Sequence, residues 1–202
     1  MKNHTFLNLV YLKKVHLICI SFFEKDKIMA KNLVIVESPA KKKIIQGYLG
    51  KDYIVESSIG HIRDLPSKGG MAIDIENGFE PNYVISDDKK KVVNQLLNLS
   101  KKAELVWLAT DEDREGEAIA WHLLSDFDSK KLTKDVDVKR VTFNEITSSA
   151  IKKAIESPRE IDQDLVDAYL TRRILDHLIG FKVSPLLWRH VSRAKSAGRV
   201  QS

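Results

Sequence analysis

The sequence predicts an α/β fold, a mostly parallel sheet flanked by helices, followed by the beginning of an all-helical unit. Three observations carry this reading. From Met29 onward, short apolar runs alternate with stretches of helical periodicity, as in strands laid side by side under crossover helices. From Asp162 the strand-like runs cease and the periodicity is helical to the end. With 202 residues, 43% hydrophobic and 30% charged, the chain can close one core and part of another, and no repeat or low-complexity tract diverts it from a globular fold.

Each element has a local cause. Leu33 to Val36 is a continuous apolar strand, and Ser38 with Pro39 supplies an N-cap and a helix-starting proline for a helix to about Leu49. Tyr53 to Ser57 and Tyr83 to Ile85 read as strands, separated by a Gly- and Pro-containing loop, Gly60 to Pro81, long enough to suggest function. Asp87 to Ser100 is a helix whose apolar side is Val92, Val93, Leu96, Leu97 and Leu99. Leu105 to Ala109 is a buried-type strand, and Asp113 to Leu124 is a helix turning Ala118, Ile119, Trp121, His122 and Leu123 inward in part. Val138 to Phe143 is a strand, Thr147 to Ile155 a helix, Asp162 to Leu178 a longer helix, and Pro185 opens a further helical piece. The predicted organisation is an extension over residues 1–28, a sheet domain over 29–156, and the start of a helical domain over 157–202, with the boundary at Ser157-Pro158-Arg159.

Charge is unevenly placed. The net +5 divides into +3 for residues 1–28, −3 for 29–180 and +5 for 181–202. The basic end, with Lys182, Arg189, Arg193, Lys195 and Arg199 and no acid, suits a polyanion, and the middle suits cations. A single cysteine, Cys19, excludes an internal disulfide and a multi-cysteine zinc site, and fits a reducing cytoplasm. Residues 1–28 are apolar in patches, but Lys13, Lys14 and His16 interrupt them and no small-residue cleavage site follows. They predict neither a membrane span nor a secretory signal. Met29 is the expected translation start.

The chemistry concentrates in Thr110-Asp111-Glu112-Asp113-Arg114-Glu115-Gly116-Glu117, where a strand hands over to a helix. Asp111, Asp113, Glu115 and Glu117 place four carboxylates within seven residues at the edge where α/β proteins bind ligands. A divalent cation offsets that repulsion, and hard oxygen donors suit Mg²⁺. Acids at a helix start are also favoured by the helix dipole, so charge alone leaves both readings open, and the flanking apolar strand favours metal. Glu37 ends the first strand with Lys41 one turn into the helix; beside other carboxylates its acid would have a raised pKa, the condition for a general acid, and Lys41 would meet a phosphate. A routine helix start with surface charge explains the same pair. In Gly60-His61-Ile62-Arg63-Asp64-Leu65-Pro66 a turn accounts for glycine and proline but not for His61 and Arg63. In Ser192 to Ser202, small residues among Arg193, Lys195 and Arg199 would let the backbone approach a phosphate chain.

In order, Val36-Glu37-Ser38-Pro39-Ala40-Lys41, the Gly60 to Pro66 loop, Asp111-x-Asp113-Arg114-Glu115-Gly116-Glu117, Phe143-Asn144-Glu145-Ile146-Thr147 and Ser196-Ala197-Gly198-Arg199-Val200-Gln201-Ser202 resemble the type IA DNA topoisomerase family of bacterial topoisomerase I. The resemblance runs from Met29 to the last residue. The acidic run alone marks the wider Toprim fold, shared with primases and some nucleases. The resemblance implies a four-stranded Toprim sheet, then the first part of a helical domain that grips single-stranded DNA. It implies ATP-independent relaxation of negatively supercoiled DNA through a transient 5′-phosphotyrosine. Glu37 would protonate the leaving 3′ oxygen, Lys41 would stabilise the scissile phosphate, and Asp111, Asp113 and Glu115, with Glu37, would organise Mg²⁺. Arg172 would join the catalytic set, with Arg173 a further candidate. His61, Arg63, Asp176, Arg193, Lys195, Arg199 and Gln201 would contact DNA. A monomer in the bacterial cytoplasm, associated with the nucleoid and not with membrane, is expected.

The family's nucleophilic tyrosine lies in an Arg-Thr-Asp-Ser-type setting, and none of Tyr11, Tyr48, Tyr53, Tyr83 or Tyr169 has one. The covalent step needs that tyrosine, so these 202 residues alone are expected neither to nick nor to relax DNA. Tyr169-Leu170 stands where relatives often carry glutamines. Two other readings are a stand-alone Toprim nuclease or primase using metal-activated water, and a non-catalytic DNA-binding remnant using the basic end.

Overall fold

The computed structural model describes residues 31–66, 72–191 and 196–198. The expectations for residues 1–28 and for Arg193, Lys195, Arg199 and Gln201 lie outside the described residues. Strands β1 (Asn32–Val36), β2 (Tyr53–Ser57), β7 (Leu105–Leu108) and β8 (Asp137–Arg140) form one parallel sheet in the order β2-β1-β7-β8. Parallel neighbours require crossovers. Helices α1 (Pro39–Leu49), α2 (Lys90–Ser100) and α3 (Arg114–Ser129) provide them.

Alternation along the central strands divides the core between the two faces. Leu33, Ile35, Val106 and Leu108 meet Val93, Leu96 and Leu97 of α2 and Ile119, Leu123 and Phe127 of α3. Val34, Val36, Trp107 and Ala109 face Ile45 of α1 and Ile151 of α4 (Ser148–Glu156). The edge strand β2 would expose unpaired peptide groups. Gln46 of α1 covers two of them, accepting from the Val55 amide at 2.8 Å and donating to the Tyr53 carbonyl at 2.9 Å.

The 60–81 loop carries short antiparallel ribbons. Strand β3 (Arg63–Asp64) pairs with β6 (Val84–Ile85), and β4 (Ile73–Asp74) with β5 (Glu80–Pro81). The predicted strand at Tyr83 to Ile85 therefore exists but outside the main sheet. Helix α5 (Gln163–Leu178) packs along α3, and its Ile174 and Leu178 rest on Leu65, Ala72 and Ile73. It passes through a π turn (Ile179–Val183) into α6 (Ser184–His190), whose second residue is Pro185. A proline ring cannot accept the regular α-helical ladder one turn back, which accounts for the widened turn there.

Three boundaries differ from the sequence reading. Helix α2 begins at Lys90 rather than Asp87, residues 87–89 forming a turn. Helix α3 runs past Leu124 to Ser129, because Asp126 and Phe127 are buried rather than solvent-facing. Strand β8 ends at Arg140 rather than Phe143: Val141 still pairs with the Leu108 carbonyl, but Phe143 then packs into the core beside α4. No helix among the described residues is long and apolar enough to cross a membrane.

Candidate functional site

The carboxyl ends of the adjacent strands β1 and β7 bring Glu37 and Asp111 together. Beyond β1 the chain turns at once into α1, where the Ser38 hydroxyl caps the helix by accepting from the Lys41 amide at 3.3 Å. One turn in, the Lys41 ammonium lies between the two carboxylates, paired with Glu37 Oε1 and with Asp111 Oδ1. Burial alone would lower the Lys41 ammonium, but the hydrogen bonds and charges of Asp111 and Glu37 outweigh it and hold it above its usual value. The other Glu37 oxygen, Oε2, is buried without a hydrogen-bond partner among the described residues.

Asp113 caps α3, its Oδ1 accepting from the Gly116 amide at 2.7 Å. The loop between Asp111 and α3 is drawn so tight that only glycine fits at 116. A Cβ there would sit 2.2 Å from the Asp111 carbonyl oxygen and 2.8 Å from its amide nitrogen. The Thr110 hydroxyl closes the loop by donating to the Gly116 carbonyl at 2.6 Å. Glu37, Asp111, Asp113 and Glu115 line a cleft of about 420 Å³ together with Ser38, Ile59, Gly60 and His61. A second cleft of about 270 Å³ shares His61 and Glu115 and adds Asp64, Tyr169, Arg172, Arg173 and Asp176 from β3 and α5. Arg172 bridges them, 3.8 Å from Glu115 and 3.8 Å from Asp176.

The structure thus gathers Glu37, Lys41, His61, Asp111, Asp113, Glu115, Arg172 and Asp176 at one edge. His61 stacks on Tyr169 with ring centroids 4.9 Å apart, and its Nδ1 is 3.3 Å from the Tyr169 hydroxyl. Burial lowers the His61 imidazole below its usual value, against the pull of Glu115. Burial also pushes the Tyr169 and Tyr83 phenols up to about 12. Arg63 turns elsewhere, donating to the Ser125 hydroxyl of α3 at 3.1 Å, and lines neither cleft. Arg173 is held by Asp64, with Nη2 2.7 Å from Oδ2.

Glu117 departs from Asp111, Asp113 and Glu115, which line the cleft. It is 0% exposed, pointing away from the cleft into a knot of cations. Its Oε1 accepts from Arg140 at 2.6 Å and 3.2 Å and from Arg159, and its Oε2 accepts from the Asp162 amide at 3.1 Å. Arg140, 3% exposed, also donates to the carbonyls of Leu108, Thr110 and Asp111 at 3.0, 2.8 and 2.8 Å. One guanidinium therefore fixes the backbone of the acidic loop, and one carboxylate ties that loop to Asp162, the cap of α5. Sequence reading missed Arg140 and Arg159; an arginine in an amphipathic strand and another in a Ser-Pro linker carry no local mark of a pairing 23 or 42 residues away.

Among the described residues no three histidine, cysteine, aspartate or glutamate side chains converge as a closed metal-ligating set. The donors nevertheless fit a hard cation: carboxylates from two strand ends already share one positive charge, the Lys41 ammonium, and Glu37 keeps one buried oxygen without a hydrogen-bond partner.

Comparison with known proteins agrees with this geometry. Residues 32–146 match the Toprim domain and residues 160–202 the DNA topoisomerase family. The protein named DNA topoisomerase 1 of Streptomyces coelicolor is 52% identical over 184 residues, 85% of this chain and 19% of the relative. Its namesake in Xylella fastidiosa strain Temecula1 is 53% identical over 174 residues, 86% of this chain and 21% of the relative. The full-length topoisomerase I of Thermotoga maritima superposes with a TM-score of 0.70 at 47% identity, over 84% of this chain and 28% of that one. The chain spans about a fifth of the length of the curated relatives it matches. With a parallel four-stranded sheet, an acidic loop at its carboxyl edge and both domain matches in order, the chain belongs to the Toprim-containing bacterial DNA topoisomerase I (type IA) family.

Proposed function

We propose that these residues form the cation, phosphate and proton-donor side of a DNA strand-cleavage centre, in an enzyme that relaxes negatively supercoiled DNA through a transient 5′-phosphotyrosine. The observation that carries it is the Lys41 ammonium held between Glu37 and Asp111 where two parallel strands end. A site that already gathers carboxylates around a positive charge is arranged for a second cation and for the phosphate that brings them together.

Asp111, Asp113 and Glu115, with Glu37, would hold Mg²⁺, which when bound supplies charge neutralisation for the phosphate. Lys41, whose ammonium is kept protonated by its pairing with two acids, binds a non-bridging phosphate oxygen. In the forward step the tyrosine hydroxyl loses its proton to solvent as its oxygen bonds to phosphorus, the bond to the 3′ oxygen breaks, and Glu37, in its protonated form, delivers its proton to that oxygen; religation runs the same transfers in reverse. Arg172, bridging Glu115 and Asp176, orients the phosphate from the α5 side. His61 and Asp176 border the second cleft, through which a single strand would run. Tyr83 and Tyr169 are held protonated by burial, and Tyr48 lies on α1 away from the residues that line the cleft. None of the chain's tyrosines has the Arg-Thr-Asp-Ser-type setting of the family's nucleophile, and the resemblance implies that the nucleophile is a tyrosine outside these 202 residues. The working molecule is a cytoplasmic monomer acting on exposed single strands in the nucleoid.

Fluorescence anisotropy with a labelled single-stranded oligodeoxynucleotide tests the reading. Binding strengthened by Mg²⁺, and losing that Mg²⁺ response in the D111N/D113N variant, is expected. Salt-sensitive binding indifferent to both Mg²⁺ and the variant would reduce the chain to a polyanion binder. Metal-dependent hydrolysis of the oligonucleotide would make it a Toprim nuclease.

A further inference from the structure

Among the described residues three non-glycine positions have positive φ: Ile59 at 56°, Phe79 at 64° and Lys131 at 59°. Lys131 sits between the end of α3 and a short 3₁₀ helix (Leu132–Lys134), and Phe79 sits in a hairpin outside both clefts. Ile59 is different. It is β-branched, the residue type least suited to left-handed backbone, and it lines the cleft of Glu37, Asp111 and Asp113.

The surrounding structure holds that strained residue in place. Its carbonyl accepts from Lys89 Nζ at 2.7 Å, and its amide donates to the Ser57 hydroxyl at 3.0 Å. The next residue, Gly60, is also left-handed, at 79°, and its amide donates to the Glu37 carbonyl at 2.8 Å. The turn therefore docks on the backbone of Glu37 itself. Glycine or asparagine at 59 would make this turn with less strain. An isoleucine here gains little packing in return, since it is 48% exposed. Strain retained beside a reacting group, without compensation from the core, points to a contact made by the side chain.

We infer that Ile59 is an apolar contact for the nucleoside flanking the scissile phosphate, its side chain packing on that nucleoside's base or sugar while Glu37 and Lys41 hold the phosphate. Ile59 is a DNA-positioning residue, and the inference rests on the DNA reading above. The ligand it takes is a single-stranded deoxynucleotide, whose base and deoxyribose offer apolar surface once unstacked.

The test compares the 202-residue chain with its I59G and I59N variants, both compatible with a left-handed turn. Thermal midpoints, Mg²⁺ affinity by calorimetry and affinity for a labelled single-stranded oligodeoxynucleotide are measured, with an abasic version of the same oligonucleotide. The expected result is a midpoint equal to wild type or about 2 °C higher, unchanged Mg²⁺ affinity, and DNA affinity reduced about threefold to tenfold, the loss of roughly half a buried aliphatic side chain. If the contact is to the base, the abasic oligonucleotide narrows the gap between wild type and variants; if to the sugar, the gap persists. Either refines the same assignment. DNA affinity within twofold of wild type in both variants would overturn the inference while D111N/D113N still tests the site. A fall in midpoint in both variants would place Ile59 in support of the fold and overturn it too. A wild-type chain that does not bind the oligonucleotide overturns this inference and the DNA reading together.

Discussion

Replacing Glu117 by alanine removes the one carboxylate on which the acidic loop, strand β8 and the cap of α5 converge. The side chain is 0% exposed and accepts hydrogen bonds from Arg140, Arg159 and the Asp162 amide. Without it Arg140 keeps its charge at 3% exposure with only backbone carbonyls for partners. Breaking a buried pair in this way costs about 3–5 kcal/mol, a large part of the roughly 5–15 kcal/mol that holds a domain folded. At roughly 2–4 °C per kcal/mol for a chain of this size, the thermal midpoint falls by roughly 6–20 °C. The conservative E117Q keeps the shape and an acceptor and loses about 1.5–3 kcal/mol. Replacing both partners, E117M with R140M, recovers part of the stability because the buried Arg140 charge is no longer stranded, while Arg159 remains part-exposed to solvent. It still frees the carbonyls of Thr110 and Asp111, so the double variant folds but binds Mg²⁺ poorly. Thermal denaturation followed by tryptophan fluorescence, with calorimetry for Mg²⁺, reads both quantities. An E117A midpoint within about 2 °C of wild type, or a double variant with wild-type Mg²⁺ affinity, would show that this knot neither stabilises the fold nor shapes the acidic loop.

Three further outcomes follow from the same geometry. Gly116→Ala forces a Cβ to within 2.2 Å of the Asp111 carbonyl oxygen, so the loop must open; Mg²⁺ affinity and midpoint both fall in calorimetry and thermal scans, whereas G47A, with nothing within 4 Å, leaves both in place. Burial lowers the His122 imidazole to about 3 and leaves both ring nitrogens without hydrogen-bond partners, so the ring must enter the fold neutral. Its contribution is present above the unfolded value near 6.5 and is lost as pH falls from there toward 3, at up to about 1.4 kcal/mol per pH unit. H122L should therefore be near wild type at pH 7.5 and relatively more stable at pH 5 in paired urea titrations; parallel pH profiles would refute this. Tyr169→Phe keeps the stack on His61 and loses only a long hydrogen bond, changing stability by less than about 1 kcal/mol, while Y169A empties a buried site at a cost of about 3–5 kcal/mol, both measurable by denaturation.

What the sequence disclosed was whatever is local. Ser38-Pro39 set the start of α1 at the residue where it is found, and the apolar strands at 33–36, 53–57 and 105–108 needed only hydrophobic runs between polar turns. The acidic run was legible as a strand-to-helix junction because an apolar run precedes it and helical periodicity follows it. Which of its acids face outward was not legible. Glu115 and Glu117 are two residues apart on a helix and so point in different directions, but their destinations depend on Arg172 in one case and on Arg140 and Arg159 in the other. Arg63 shows the same limit: a motif places it beside His61, yet tertiary packing turns it toward Ser125. The left-handed Ile59 contradicts its own backbone preference, so no propensity argument could have found it.

The central claim is that the edge bearing Glu37 and Asp111 is a cation site in which Lys41 holds part of the ground. Lys41→Gln, titrated with Mg²⁺ by calorimetry beside wild type and D111N/D113N, tests it most directly. Removing an ammonium that pairs with both carboxylates eliminates its repulsion of the ion and frees two ligands. Mg²⁺ affinity should rise roughly tenfold or more in K41Q and vanish in D111N/D113N. Equal affinity in all three proteins would contradict the claim.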